Sequence, residues 1–361
     1  MGYEIDFLAV GEGEKSGDAI ALRFGNLAGP CSEQKVIVID GGTKESGESL
    51  VSLIQTHYRT LKVDTVISTH PDSDHSSGLT VVLEKLEVGC LFMHQPWNHA
   101  DDIRHLFDDE RVTPSGLEER AWRSLQNARE LEKIANKKGI PIREPFSDDY
   151  RDVLSPSKAF YQQQLANFRC MPEPAKKAGM AALAEAVRVA VVEAIKWIAE
   201  TWSTETLVEP EEDATSAENN SSVVFLVDLS GDRFLFTSDA GMPALTEAAN
   251  RAAAMGVDLK TVKYVQVPHH GSKRNVGPTI LDRILGPKKS EEAFDKTAFV
   301  SVANDAEPKH PARKVVNAFQ RRGAKVFATK GNGLCQRSKD LPKRDGWNDA
   351  TKLPFYEQVD E

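Results

Sequence analysis

The chain has 361 residues, of which 40% are hydrophobic and 27% charged, a composition that excludes a collagen-like or wholly disordered polypeptide and supplies enough apolar side chains for a large core. Its formal net charge of −9 is unevenly placed: residues 257–344 carry 19 Lys plus Arg against 8 Asp plus Glu, an excess of +11 that leaves −20 for the remainder. The acidic total therefore does not exclude an anionic partner, because the basic third can present a local anion-binding face.

Residues 3–10, 18–24 and 36–39 read as strands, the last an unbroken apolar run of the buried kind. After the turn at Asp40-Gly41-Gly42, the spacing predicts a helix over 49–61, a strand over 63–68, a polar loop, a helix over 78–86 and a strand over 88–93. Such alternation predicts a layered α/β domain. Between about 100 and 219 the pattern changes to helices, at 117–138, 158–167 and 175–202, with no convincing strand, so this stretch reads as an insertion closed by the acidic loop at 209–213. The wide apolar face of 175–202 suits the core helix of a cap, and Trp197 and Trp202 are expected to pack there rather than to stack on bases. Strands resume at 223–229, 233–237, 262–267, 298–302 and 325–328. Helices are expected at 243–255, 278–285 and 311–322, each with Pro near its start, where a missing N–H costs least.

Four widely spaced cysteines, Cys31, Cys90, Cys170 and Cys335, form no Cys-x-x-Cys pair, which predicts reduced thiols in a cytoplasm rather than a disulfide framework or a zinc knuckle. The first residues lack the basic and apolar regions of a secretory signal. The most apolar stretch, 181–199, is interrupted by Glu185, Arg188, Glu193 and Lys196, so no membrane span is expected.

Chemistry concentrates in His70-Pro71-Asp72-Ser73-Asp74-His75, directly after the 63–68 strand. Four metal-competent side chains within six residues of a strand-to-loop junction can converge on one point without helical register. Two later strands also end in polar tips, one at Asp239 and one at His269-His270-Gly271-Ser272. If the three tips share a sheet edge, Asp239 can bridge two cations while His269 or His270 completes one of them. His94 and His99 are the next histidines after the 70–75 cluster and are expected not to be ligands. The segment from Gly11 to Asp18 is not a phosphate loop, because it lacks a glycine before Lys15 and places Glu12 and Glu14 where backbone amides would have to meet an anion.

In order along the chain, Phe7-Leu8-Ala9-Val10-Gly11-Glu12-Gly13, Val38-Ile39-Asp40-Gly41-Gly42, the 70–75 cluster, Asn219 to Ser222, Asp239, His269-His270-Gly271-Ser272, Asn304 and His310-Pro311 resemble the metallo-β-lactamase-fold hydrolases. Within these they resemble the soluble hydrolase domain of ComEC-type DNA-uptake proteins. The resemblance implies an α/β fold, a four-layered αββα sandwich formed by 1–99 and 219–335, with a helical insertion or cap at 100–218 and a polar tail at 336–361. It departs from the wider superfamily at Asp72, where a histidine is common, and before the strand at Val223, where many relatives carry a further histidine.

Carried over by position, the resemblance implies that His70 and Asp72 hold one metal, that Asp74, His75 and His269 hold the other, and that Asp239 bridges, with Asp40 behind them as an orienting group; which imidazole of His269 and His270 faces the metal is not fixed by the sequence. Ser272 or His310 would contact a nonbridging phosphate oxygen, His310 would protonate the leaving alkoxide, and Lys273, Arg274 and Asn304 would bind substrate. Lys309, Arg313 and Lys314 also flank these late motifs. A carboxylate in place of an imidazole hardens the first position, so two divalent ions are expected, Mn²⁺ preferred and Zn²⁺ second. The function implied is a metal-dependent phosphodiesterase acting on nucleic acid, a DNA nuclease using a metal-activated water. The alternatives are a small-molecule hydrolase of a lactone, thioester, phosphoester or cyclic nucleotide, and a metal-binding signalling module that has lost catalysis. The partners expected are nucleic acid, no membrane, and a second copy or an accessory protein at the insertion.

Overall fold

A computed structural model describes residues 2–11, 15–174, 196–211, 213–291, 293–305 and 309–360. A seven-stranded sheet runs, edge to edge, through Leu334–Arg337, Gly2–Phe7, Ala19–Gly25, Gln34–Gly41, Thr65–Ile67, Leu91–Phe92 and Ile142–Arg143. A six-stranded sheet runs through Ala324–Ala328, Lys296–Val300, Tyr264–Gln266, Asp232–Phe236, Val224–Leu229 and Val153–Ser155. Each sheet is antiparallel on one side and parallel on the other.

Period-two alternation turns these sheets into four layers, because successive side chains of a strand face opposite ways. Ile20 and Leu22 join Tyr3, Ile5, Phe7, Phe225, Phe234, Phe236 and Phe299 in the core between the sheets. Ala19 and Ala21 face outward, where Leu50 and Val51 of the helix Lys44–Leu53 and Leu79, Val82 and Leu83 of the helix Ser73–Lys85 cover them. On the far side, Leu235, Val265 and Ala298 meet the helices Met242–Ala254, Pro278–Ile284 and Arg313–Arg321. The expected αββα order is therefore present, and the central strands predicted from sequence fall where they were expected to within a few residues.

Several elements differ from the sequence reading. The helix carrying the 70–75 cluster starts at Ser73, with Asp72 as its N-cap, so Asp74 and His75 occupy a helical first turn and not a polar loop. The single helix expected over 117–138 is two, Pro114–Ser124 and Gln126–Lys138, broken at Leu125, whose ψ of 63° leaves the helical region. The stretch read as free of strands contributes one short strand to each sheet, Ile142–Arg143 and Val153–Ser155. Two- and three-residue strands are too short to show a period, which is why the sequence does not reveal them. A third, Trp197–Ala199, pairs antiparallel with Gln358–Asp360, so the C-terminal segment is folded back onto the body. Most of the helix expected over 175–202 lies outside the described residues. Among the described residues no helix is long and apolar enough to cross a membrane.

Only one of the two tryptophans packs: Trp202 lies tilted against Phe355 at 5.3 Å and donates to the Lys289 carbonyl at 2.9 Å, whereas Trp197 stands in a short strand and is 43% exposed, with Arg313 over its ring at 4.4 Å. Buried Arg321 and Arg322 pair with Glu200 and Glu205, tying residues 200–205 to the last long helix.

His94 and His99 belong to a separate aromatic core, with His94 stacked on Tyr161 at 4.2 Å and 4.9 Å from Phe146. Burial without a hydrogen-bond partner on either ring nitrogen pulls the His94 pKa down to about 3. The unfolded chain therefore binds a proton that the folded chain refuses, and stability present above the ordinary pKa of 6.5 is lost as pH falls toward 3. His94→Phe is expected to flatten this loss, exceeding the parent's stability at pH 5 by about 2 kcal/mol more than at pH 7.5. Urea unfolding at the two pH values measures it, and parallel profiles for the two proteins would refute the burial argument.

Candidate metal centre

Ligands concentrate at the carboxyl ends of strands, the edge at which layered α/β sheets present their sites. Gln34–Gly41 delivers Asp40, Thr65–Ile67 leads to His70, Asp232–Phe236 to Asp239, and Tyr264–Gln266 to His269 and His270. The chain turns inward there by adopting left-handed backbone at Asp40, Ser238, His269 and His270, with φ of 52°, 45°, 46° and 56°. Left-handed geometry in a non-glycine residue costs on the order of 1–2 kcal/mol, and its recurrence at one place marks a functional site.

The Asp239 carboxylate is the centre of the arrangement. Its Oδ1 lies 3.4 Å from His75 Nε2 and 3.8 Å from His270 Nε2, while its Oδ2 lies 3.5 Å from His269 Nε2 and 3.8 Å from His70 Nε2. Four imidazoles thus face one carboxylate, two per oxygen. The sequence left open which of His269 and His270 points inward; the structure turns both inward, to opposite sides. His270, and not His269 as expected from sequence, groups with Asp74 and His75, while His269 shares the other Asp239 oxygen with His70, because the left-handed backbone at both histidines turns the two rings to opposite sides.

Each ring is held by its other nitrogen. His75 Nδ1 lies 2.9 Å from Asp40 Oδ2, which also accepts the Thr69 hydroxyl at 2.6 Å. With its proton committed to Asp40, the Thr69 oxygen accepts from His70 Nδ1 at 3.1 Å. One buried carboxylate therefore sets the orientation of two imidazoles, directly and through a hydroxyl. His270 Nδ1 donates to the Ser301 carbonyl at 2.8 Å, and His269 Nδ1 donates to Asn275 Oδ1 at 2.9 Å. In all four rings the Nδ1 proton is directed away, and Nε2 is presented to Asp239.

Burial opposes charge on His75, yet the Asp239 and Asp40 carboxylates hold its pKa well above the ordinary range. Burial likewise opposes ionisation of Asp239, and His269, His75 and His270 outweigh it, holding this carboxyl well below its ordinary value. Despite this, His70 Nε2, His75 Nε2, His270 Nε2 and Asp239 Oδ1 are buried without a hydrogen-bond partner. Buried polar atoms are nearly always satisfied, and four orphans pointing at one place fit a divalent cation. The donor set of imidazole nitrogens and carboxylate oxygens suits zinc and manganese alike.

The remaining residues singled out from sequence are placed unequally. Asp74 is grouped with His75 and His270. Asp72 faces the Arg169 guanidinium at 3.8 Å and is 32% exposed. His310 stands with its ring 6.2 Å from that of His269 and 6.4 Å from that of His270. Burial and the neighbouring imidazoles pull its pKa down to about 3, which keeps the ring neutral at pH 7 and suits a hydrogen bond to an oxygen rather than a proton held ready for a leaving group. Ser272 is buried, and its hydroxyl accepts from the Arg274 amide at 3.2 Å. Lys273 is drawn toward Asp360, 3.1 Å away, while Arg274 and Lys309 are exposed. The Asn304 amide donates to Asp305 at 3.1 Å on the surface. Arg313 is committed to Trp197 and Tyr356, and Lys314 is buried.

Asp18 was missed. It is buried beside His75 and Asp239, 3.8 Å from His75 Nδ1, and accepts from Gln266 at 2.8 Å. Burial raises its pKa, partly offset by His75 and His270. Its sequence setting, after an irregular glycine-rich turn, has none of the spacing that marks a ligand.

Residues 29–144 match the family model of the Metallo-beta-lactamase superfamily, so the chain carries a domain of that superfamily. A relative, ComE operon protein 3 of Bacillus subtilis (strain 168), is 27% identical over 130 residues, which is 36% of this chain and 15% of the relative's own length. Among solved structures, a diphosphatase from the PhnP family is 9% identical with a TM-score of 0.35, covering 93% of this chain and 98% of that one. A metallo-beta-lactamase, SMB-1, bound to 2-mercaptoethanesulfonate, is 11% identical with a TM-score of 0.31, covering 78% of this chain and 86% of that one.

Proposed function

We propose that this chain is a metal-dependent phosphodiesterase that cleaves nucleic acid, DNA foremost. The observation that carries the reading is the Asp239 carboxylate with two inward-facing imidazoles on each oxygen, their outer nitrogens tied back and three of their inner nitrogens, on His70, His75 and His270, buried and unpartnered. His75, His270 and Asp74 would hold one cation and His70 and His269 the other, with Asp72 at its edge and Asp239 between them. The second imidazole near Asp239 Oδ2 removes the reason to rank manganese above zinc, which rested on the carboxylate at Asp72 alone. Bound there, a pair of divalent cations supplies a water of lowered pKa and positive charge at the attacking and leaving oxygens of a phosphate diester.

The protein's own groups fit that substrate. Asp40 fixes His75 and, through Thr69, His70, so the cage needs no rearrangement when substrate arrives. Neutral His310 offers a hydrogen bond to a phosphate oxygen beside His269. Exposed Arg274 and Lys309 flank the same late motifs and offer charge to a polyanion. The ordered motifs shared with ComEC-type hydrolase domains point the same way, and the basic excess over 257–344 agrees with it.

The test is a cleavage screen on purified protein loaded with Mn²⁺ or Zn²⁺, against single- and double-stranded DNA, RNA and small esters, with elemental analysis of the same samples. DNA cleavage that EDTA abolishes and added metal restores is expected. Stoichiometric metal together with ester hydrolysis and no cleavage of any nucleic acid would overturn the reading.

A further inference from the structure

We infer that Arg169 is the phosphate-reading residue of this site, supplied by the segment between the two halves of the sandwich. The inference rests on the phosphodiesterase reading above and names the residue that selects a charged substrate. Arg169 follows Phe168, which is buried in the segment's own core, so its backbone is anchored. Its amide donates to Glu218 Oε1 at 2.7 Å, and its Nε lies 3.3 Å from the same oxygen. The Glu218 side chain is only 6% exposed, whereas that of Arg169 is 72% exposed. A surface arginine is ordinarily free to sample many rotamers; here a buried carboxylate grips both its amide and the base of its fork, leaving the terminal nitrogens toward solvent.

Two contacts place that fork at the mouth of the cage. One terminal nitrogen is 3.8 Å from Asp72 Oδ2, two residues after His70. Glu218 directly precedes Asn219, whose amide lies 3.3 Å from His269 Nδ1. Arg169 therefore stands beside the segment that supplies His70 and beside the residue that contacts His269, the two imidazoles facing Asp239 Oδ2. Asp72 and Glu218 would repel an incoming anion; the guanidinium between them offsets one of the two negative charges, and its exposed planar fork matches two phosphate oxygens at once. A lysine at the same position would supply charge without the fork.

Steady-state kinetics on a single-stranded oligonucleotide, with metal content and thermal midpoint measured on the same preparations, test this with Arg169→Ala, Arg169→Lys and Glu218→Gln. Arg169→Ala is expected to lower kcat/KM by about 10- to 100-fold, chiefly through KM, with metal content unchanged. Arg169→Lys should recover part of that loss. Glu218→Gln, which removes the charge that holds the arginine but keeps an acceptor oxygen, should raise KM less than Arg169→Ala does. Unchanged kinetics in Arg169→Ala, or a loss that tracks lost metal or a lowered midpoint in both arginine variants, would overturn the inference while leaving the phosphodiesterase reading intact. A metal-loaded parent protein that cleaves no diester would instead remove that reading, and the role of Arg169 with it.

Discussion

Asp239→Asn is expected to lower metal-dependent turnover by at least about 10³-fold, equivalent to about 4 kcal/mol of barrier, and to reduce bound metal below two equivalents per chain. The substitution keeps the shape of the side chain and removes the charge that all four Nε2 atoms face at 3.4–3.8 Å. Its effect on metal-free protein has a definite sign. Asp239 has a depressed pKa, so its stabilising contribution is present above the ordinary carboxyl value of 3.8 and is lost as pH falls through the lowered value. His75 has a raised pKa, so its contribution is present below the ordinary imidazole value of 6.5 and is lost as pH rises through the raised value. Both contributions overlap between these ordinary values. Removing one partner of a buried pair there costs on the order of 3–5 kcal/mol. Thermal unfolding in EDTA from pH 4 to 9 should show the parent's advantage greatest below the ordinary imidazole value of 6.5 and shrinking as pH rises above it. If the Asp239→Asn protein still binds two equivalents and turns over normally, the carboxylate does not bridge.

Much of this candidate centre was legible in the sequence because its candidate ligands cluster locally. His70, Asp74 and His75 lie within six residues, and Asp239 and the His269-His270 pair each follow an apolar run that reads as a strand. The layers were legible for the same reason, since alternation along 18–24 and 233–237 already separates an inner face from an outer one. What the sequence could not show was direction. Adjacent histidines in an extended strand would point to opposite faces of a sheet; here the left-handed backbone at both residues turns both rings onto one carboxylate, from opposite sides. Asp18 was illegible because its partner Gln266 lies 248 positions away. Arg169 was illegible because it reaches the site through Glu218, within a stretch whose strands of two and three residues carry no periodic signal. Long-range contacts of this kind depend on the register between elements, which no local pattern encodes.

Gly78→Ala should be strongly damaging for so small a change, because this helix touches backbone where it passes the site. A methyl group on Gly78 would meet the Gly41 and Thr43 carbonyl oxygens, and on the facing helix one on Gly47 would meet the Gly78 oxygen, each well inside the 3.0 Å that real Cβ atoms respect. These are main-chain atoms with no rotamer in which to retreat, so the helix Ser73–Lys85 must move as a body. His75 stands one turn before Gly78 on that helix, and Asp40 directly precedes Gly41. The displacement therefore falls on the 2.9 Å contact between His75 Nδ1 and Asp40, and through it on the nitrogen facing Asp239. A loss of about 3 kcal/mol in stability is expected, with metal affinity lowered by at least about 10-fold. Gly139→Ala makes the comparison sharp: it sits at φ +69° with nothing within 4 Å of the added carbon, so it should cost only about 1 kcal/mol of backbone strain and leave metal affinity alone. Denaturant unfolding and competitive metal titration of both variants decide it. Equal losses of stability with unchanged metal affinity in each would show that the glycine contact supports the fold without aligning the cage.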